Sequence, residues 1–457
     1  MKRSTRRAAV VAAAALTATL AASLSGAGSV SPSAAPAVAR SGARPAVSAN
    51  PPHLVTERAP VSAKAAGALF GCQVPGASVV CYGPQQIRKA YGIDTLINAG
   101  YGGQGKTVVI VDAYQSPTIV ADLAAFDQVF GLPDPNLQIV APDGLTPFDP
   151  ADANMAGWAQ EISLDVQWAH ATAPGAKIVL ALAKSNNDSD LQSALSYVVD
   201  HRLGDVVSQS FGEAEKCYGK NADGTTQPGT TLAAQHRIFA RAAAQGMTVF
   251  ASAGDSGSTE LSCDGTHSIL SASTPASDPL VTSVGGTQLF ANPTTGTYQR
   301  EVVWNEEKTF GARAVGGGGF SSVYAVPAFQ KSLGSLPSRG VPDVSYNAAI
   351  NGGVLVAYSA TAPAGSFYLF GGTSSGSPQW AGITADIAQL NQGSLGDINP
   401  ALYQIARKTP GAFHDITKGQ NGSGGIGGFT AGTGWDAASG LGTPQVGALA
   451  LALAGAR

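Results

Sequence analysis

The sequence predicts an α/β fold with a mainly parallel central sheet and helices on both faces. Three observations lead there. Short, continuous apolar runs recur along the chain, as strands buried on both faces require. Amphipathic stretches of helix length separate those runs. Gly (57 residues), Ala, Ser and Thr dominate and only 12% of residues are charged, the composition of a globular, loop-rich protein rather than a disordered one. A chain of 457 residues is long enough for one large domain or two ordinary ones.

The first seven residues carry Lys2, Arg3, Arg6 and Arg7, and an Ala/Leu/Val-rich run follows from Ala8 to Leu24. This is a secretory signal pattern, assigned to residues 1–39, with small-x-small cleavage signals ending at Ala27 and at Ala39. Removing its four basic residues takes the formal charge from −3 to −7, an acidic balance unlike that of a nucleic-acid binder. Residues 40–68 are rich in Ala, Pro, Ser and Val with little periodicity, a linker or short propeptide. The folded domain is expected over 69–457. No apolar stretch after Leu24 reaches the roughly 20 residues of a membrane span.

Gly105–Val111 reads as the first strand and ends in Asp112; Ala121–Phe130 follows as a helix. After a Pro/Asp-rich loop come the helix Trp158–His170, the strand Lys177–Ala183, the helix Leu191–Val199 and the strand Asp205–Ser210. The helix Thr231–Gln245 and the strands Met247–Ser252 and Leu280–Val284 continue the alternation. Phe367–Phe370 reads as a short strand and Trp380–Leu390 as a helix, so Ser374 sits where a strand turns into a helix. In parallel sheets functional groups collect beyond the carboxyl ends of the strands, where Asp112, Ser210, Asp255 and Ser374 all fall.

Four stretches carry chemistry. Gly371-Gly-Thr-Ser374-Ser-Gly places a hydroxyl near a helix start, where unpaired N–H groups and a partial positive charge favour a developing anion. On the helix Trp158–His170, Glu161 and Asp165 stand at i and i+4 on the stripe that holds Trp158 and Trp168. Two exposed carboxylates there would repel, whereas between two tryptophans they share a proton and one becomes a general base. Asp255, in Gly254-Asp-Ser-Gly257, follows a strand; only in its protonated form does it donate a hydrogen bond to an oxyanion. Asp415 and Asp436, with turn carbonyls between them, offer oxygen ligands to a hard cation such as calcium. The four cysteines, Cys72, Cys81, Cys217 and Cys263, suggest two disulfides; of three connectivities the near pairs are favoured.

Together these stretches resemble the sedolisin family of serine-carboxyl peptidases over roughly Tyr82 to Pro444. The matching motifs, in order, are Trp158-x-x-Glu161-x-x-x-Asp165, Ser208-Gln-Ser-Phe-Gly212, Ser252-Ala-Gly-Asp255, Gly317-Gly-Gly-Phe-Ser321, Arg339-Gly-Val-Pro-Asp-Val344, Gly372-Thr-Ser374 with Pro378, and Gly434-Trp-Asp436 leading into Gly440-Leu-Gly442. The resemblance implies a subtilisin-like fold and endopeptidase or tripeptidyl-peptidase activity in acid. It makes Ser374 the nucleophile, Glu161 its base, Asp165 the group that holds Glu161, and Asp255 the oxyanion donor. It also implies one calcium ion on the Asp415 and Asp436 side chains and the carbonyls of Ile416, Gly432 and Gly434. Ser210, Phe211 and Gly212 resemble the segment that pairs with substrate.

The remaining expectations are peptide or protein substrates, no nucleic acid, no membrane, a monomer and an extracellular location. The rival Asp-His-Ser arrangement would begin at Asp112, but the helix position for its histidine holds Glu161, so Asp112 is assigned a structural role. Sedolisins usually carry a large folded propeptide; only about 40 residues of poor periodicity stand in its place, too few for an ordinary domain. The alternative from another class is a secreted, calcium-stabilised binding protein that has lost catalysis, and the complete set of Glu161, Asp165, Asp255 and Ser374 argues against it.

Overall fold

The computed structural model describes residues 61–65, 68–74, 76–218 and 231–454. The segment read as signal peptide, and the linker up to residue 60, lie outside the described residues. Eight strands build the main sheet: β1 (Thr107–Ala113), β2 (Asn136–Val140), β3 (Lys177–Ala183), β4 (Val206–Gln209), β5 (Thr248–Ser252), β6 (Thr282–Ala291), β7 (Tyr298–Val303) and β8 (Val344–Asn347). Their order is β7-β6-β5-β4-β1-β3-β2, with β8 also paired to β6. Every neighbouring pair is parallel except β6 with β7.

Five helices matter for the site: α1 (Ile119–Phe130), α2 (Ala153–Thr172), α3 (Asp188–Asp200), α4 (Thr231–Ala244) and α5 (Gly376–Leu390). Alternate residues of a strand point to opposite faces, and β1 divides accordingly. Val108 and Ile110 join a core with Ile162 and Val166 of α2 and Ile383 of α5. Val109 and Val111 join the opposite core with Leu191 and Leu195 of α3 and Ile238 and Phe239 of α4. The expected sheet covered on both faces is therefore present.

α2 departs from a one-sided amphipathic helix. From Glu161 to Thr172 every residue is buried, because α5, β1 and the strand Gly353–Ala357 enclose it. Polar side chains on it answer backbone groups: Trp168 Nε1 donates to Leu355 O, and the Gln167 amide both donates to Ala357 O and accepts from Ala357 N. Asp152 caps its start, accepting from the N–H groups of Asn154 and Met155. α5 crosses α2 at Gly382, where an added Cβ would lie 2.1 Å from Thr172 Oγ1. Only glycine permits that approach, and it sets how far the start of α5 stands from the acids of α2.

Some elements differ from the sequence reading. β2 lies in the stretch read as a Pro/Asp-rich loop; it is an edge strand with partly exposed residues, so it carries no apolar run. The strand before Ser374, Phe367–Phe370, belongs to a separate three-stranded sheet with Gly353–Ala357 and Cys81–Tyr82. α5 begins at Gly376, four residues before the apolar periodicity starts. The disulfides are Cys72–Cys81 and Cys217–Cys263, the two near pairs.

Candidate active site

The four residues that the sequence singled out for chemistry come from three segments and converge at the carboxyl end of the sheet. Ser374 lies in a single 3-10 turn, Thr373–Ser375, that leads straight into α5. Gly372, at φ +112°, makes the reversal into that turn, a conformation that L side chains rarely adopt. Ser374 is buried, and its Oγ stands 3.4 Å from the Ser210 carbonyl just past β4.

Glu161 and Asp165, one turn apart on α2, are both completely buried. The Glu161 carboxyl lies beside the Ser374 hydroxyl and the Asp165 carboxyl, and Asp165 lies beside the Ser210 hydroxyl. Burial pushes the Glu161 carboxyl well above the ordinary range and the nearby Asp112 charge adds to this, while the neighbouring Ser374 and Asp165 side chains oppose it. Asp165 is likewise raised well above the ordinary range, by burial and then by the charges of Asp112 and Glu161.

Asp255 approaches from the end of β5. Its Oδ1 accepts from Thr373 N at 2.8 Å and from Thr373 Oγ1 at 2.6 Å. Its Oδ2 is buried and takes no hydrogen bond from any described residue. Burial raises the group to about 7 against the pull of the Thr373 bonds and the Arg313 charge, so in acid it is a neutral donor. The segment Ser210–Gly212 lies alongside: Phe211 packs its ring 6.0 Å from that of Trp158, and a Cβ on Gly212 would come within 2.2 Å of Ser273 Oγ.

Two further acids border this cluster: Asp112, which the sequence placed at a strand end, and Glu260, which no sequence reading put there. Asp112, assigned a structural role from sequence, is wholly buried at the end of β1 and raises the proton affinity of both Glu161 and Asp165. Glu260, on the strand Thr259–Leu261, is only partly exposed and its carboxyl is desolvated beside Asp255, which pushes it to about 8. Topological position was the available signal for Asp112; nothing in the sequence around Glu260 marks it. Histidine is elsewhere: His170, buried near the end of α2, meets Pro133 O at 3.0 Å and Asp127 at 3.4 Å, and burial lowers it to about 4.

The proposed cation ligands are also brought together. Gly434 N donates to both oxygens of Asp415, at 3.2 and 3.0 Å, and Gly432 N to Asp436 Oδ2 at 2.9 Å. Asp436 Oδ1 is occupied by the N–H groups of Ala438 and Ser439 and by the Ser439 hydroxyl. The carbonyls of Ile416, Gly432 and Gly434 accept no backbone hydrogen bond among the described residues, so oxygen donors of the right chemistry remain for a hard cation. No cluster of three or more His, Cys, Asp or Glu suited to a metal exists among the described residues, so carbonyl oxygens would have to complete this set.

A doubly covered parallel sheet, with a serine at the start of the helix that follows a short antiparallel strand pair, defines the subtilisin-like α/β class. Residues 153–407 match the subtilase family. The chain is 34% identical over 389 residues to kumamolisin of Bacillus sp. (strain MN-32), covering 82% of this chain and 64% of that relative. It is also 34% identical over 348 residues to sedolisin of Pseudomonas sp. (strain 101), covering 74% of this chain and 56% of that one. The chain thus spans somewhat under two thirds of the length of these curated relatives. The solved structure of Pseudomonas sedolisin, a serine-carboxyl proteinase complexed with two molecules of pseudo-iodotyrostatin, superimposes with a TM-score of 0.70 at 31% identity. That alignment covers 82% of this chain and 98% of the sedolisin chain. The chain belongs to the subtilase family and, within it, to the sedolisins.

Proposed function

We propose that this chain is an exported serine-carboxyl peptidase that hydrolyses peptide bonds in acid. One observation carries the proposal: the titratable group beside the Ser374 hydroxyl is the carboxyl of Glu161, and the histidine on the same helix is engaged with Pro133 and Asp127. The oxyanion donor Asp255 holds its proton only below about pH 7, which ties the activity to acid.

In the proposed reaction a peptide lies along Ser210–Gly212 with its scissile carbonyl over Ser374. Glu161 takes the hydroxyl proton as Oγ bonds to the carbonyl carbon, and Asp165 steadies the protonated Glu161. The developing oxyanion accepts a hydrogen bond from protonated Asp255 through Oδ2, the oxygen that Thr373 leaves uncovered. Glu161 then returns the proton to the leaving amine as the C–N bond breaks, giving an acyl-enzyme. Water attacks the ester by the same steps and frees Ser374. Calcium, held by Asp415, Asp436 and the carbonyls of Ile416, Gly432 and Gly434, would cross-link the two C-terminal loops and take no part in the chemistry.

The test is cleavage of an unfolded protein substrate from about pH 3 to about pH 8, with Ser374→Ala and Glu161→Gln alongside. Activity confined to acid and abolished in both variants is expected. A folded protein inactive at every pH would sink the reading in favour of a binding protein of the same fold.

A further inference from the structure

A carboxylic acid can carry its proton on either oxygen, and Asp255 serves an oxyanion only with the proton on Oδ2. Thr373 lies on the other side of that carboxyl. Its N–H donates to Oδ1 at 2.8 Å, and its hydroxyl oxygen stands 2.6 Å from the same atom. A backbone N–H can only donate, so Oδ1 has to accept. An oxygen that accepts from two donors is the carbonyl oxygen of the acid. The proton is then left to Oδ2, which is buried and takes no hydrogen bond from any described residue.

The Thr373 hydroxyl is itself directed. Gly254 N donates to Oγ1 at 3.2 Å, which leaves the hydroxyl proton to be given elsewhere. Gly254 O, at 3.1 Å, is the competing acceptor, but it already takes the N–H of Gly317 at 2.7 Å. The hydroxyl proton therefore goes over the shorter contact to Asp255. The branched Cβ of threonine restricts the rotation that would turn the hydroxyl away. The charged or titratable groups that bear on Asp255 are Arg313, Glu161 of α2 and Glu260 of the strand Thr259–Leu261. Among the described residues the Thr373 hydroxyl bonds to none of these, only to Asp255 and Gly254.

We propose that Thr373 is the positioning residue of Asp255: its two donors make Oδ1 the accepting oxygen and confine the proton to Oδ2, the oxygen assigned to the oxyanion. The placing of the proton stands apart from the peptidase reading; its consequence for catalysis rests on that reading. Donation to Oδ1 draws electron density out of the carboxyl, which makes Oδ2–H both a stronger donor and an easier proton to lose. Removing the hydroxyl thus weakens catalysis while widening the pH range over which Asp255 stays protonated. Loss of packing alone does not produce both changes.

Thr373→Val removes the hydroxyl at nearly the same volume, and Thr373→Ser keeps it. In the Ser374→Ala background, infrared titration follows the protonated Asp255 band, identified by its disappearance in Asp255→Asn. Thr373→Val should move that band to higher wavenumber, as a carbonyl group does on losing a donor. It should also raise the titration midpoint by about half a pH unit or more, the weight of one neutral hydrogen bond. Thr373→Ser should leave both near the parent's. A band and midpoint unmoved in Thr373→Val overturn the proposal whether or not the parent protein is active. A moved band in a parent that cleaves nothing at any pH upholds the placing of the proton and sinks only the peptidase reading. In the active protein, Thr373→Val should lower kcat about three- to tenfold in acid and move the alkaline limb of the profile to higher pH, with Thr373→Ser largely restoring both. A fall in kcat with the limb in place, or one that serine does not restore, refutes it and makes Thr373 a structural residue.

Discussion

Asp255→Asn separates the proton on Asp255 from the shape of its side chain. Asp255 is 4% exposed, and Thr373 N and Oγ1 both bond to Oδ1 while Oδ2 has no described partner. An asparagine keeps an acceptor toward Thr373 and puts an N–H donor where Oδ2 stood. In the folded parent the carboxyl holds its proton to about pH 7, against an ordinary value of 3.8. Folding therefore retains a proton that the unfolded chain has released, and the associated stability is complete below about pH 4, falls as pH rises and is gone above about pH 7. Three pH units correspond to about 4 kcal/mol. The other buried acids titrate in both proteins and largely cancel in the comparison. Urea unfolding of the parent and of Asp255→Asn, both in the Ser374→Ala background, should be measured near pH 4 and near pH 8. The parent should lose more stability than the variant over that interval, by as much as about 4 kcal/mol. Equal losses would mean that Asp255 is already ionised in the fold, and the neutral-donor argument would fail. In the active protein, Asp255→Ala should lower kcat by about 10²–10³-fold.

Arg339→Met should destabilise by about 3–5 kcal/mol, because it removes the partner of the wholly buried Asp343 side chain; chemical unfolding measures it, and a loss below about 1 kcal/mol would show that the pair adds little to stability. A chelator should lower the thermal unfolding midpoint by releasing calcium from the Asp415 and Asp436 loops, and a midpoint indifferent to chelator and to added calcium would remove that ion from the proposal.

How far the sequence alone reaches follows from which interactions are local. β1, β3, β4 and β5 are legible because a strand buried on both faces must be apolar throughout, and that leaves an unbroken run. β2 is an edge strand with no such requirement, so nothing distinguishes it from the Pro/Asp-rich loop around it. Glu161 and Asp165 are legible as a pair because helical spacing puts them one turn apart, and Ser374 because glycines and a following helix frame it. The partnership of Asp255 with Thr373 spans 118 residues and depends on β5 ending where the Ser374 turn begins, so each half is visible and the bond is not. Asp112 is the sharper case. Its place at the end of the first strand invited comparison with a histidine-based triad, and finding Glu161 in the histidine's place suggested that the aspartate had become structural. The fold leaves it wholly buried beside the Glu161–Asp165 pair, a placement that no local feature of the sequence announces.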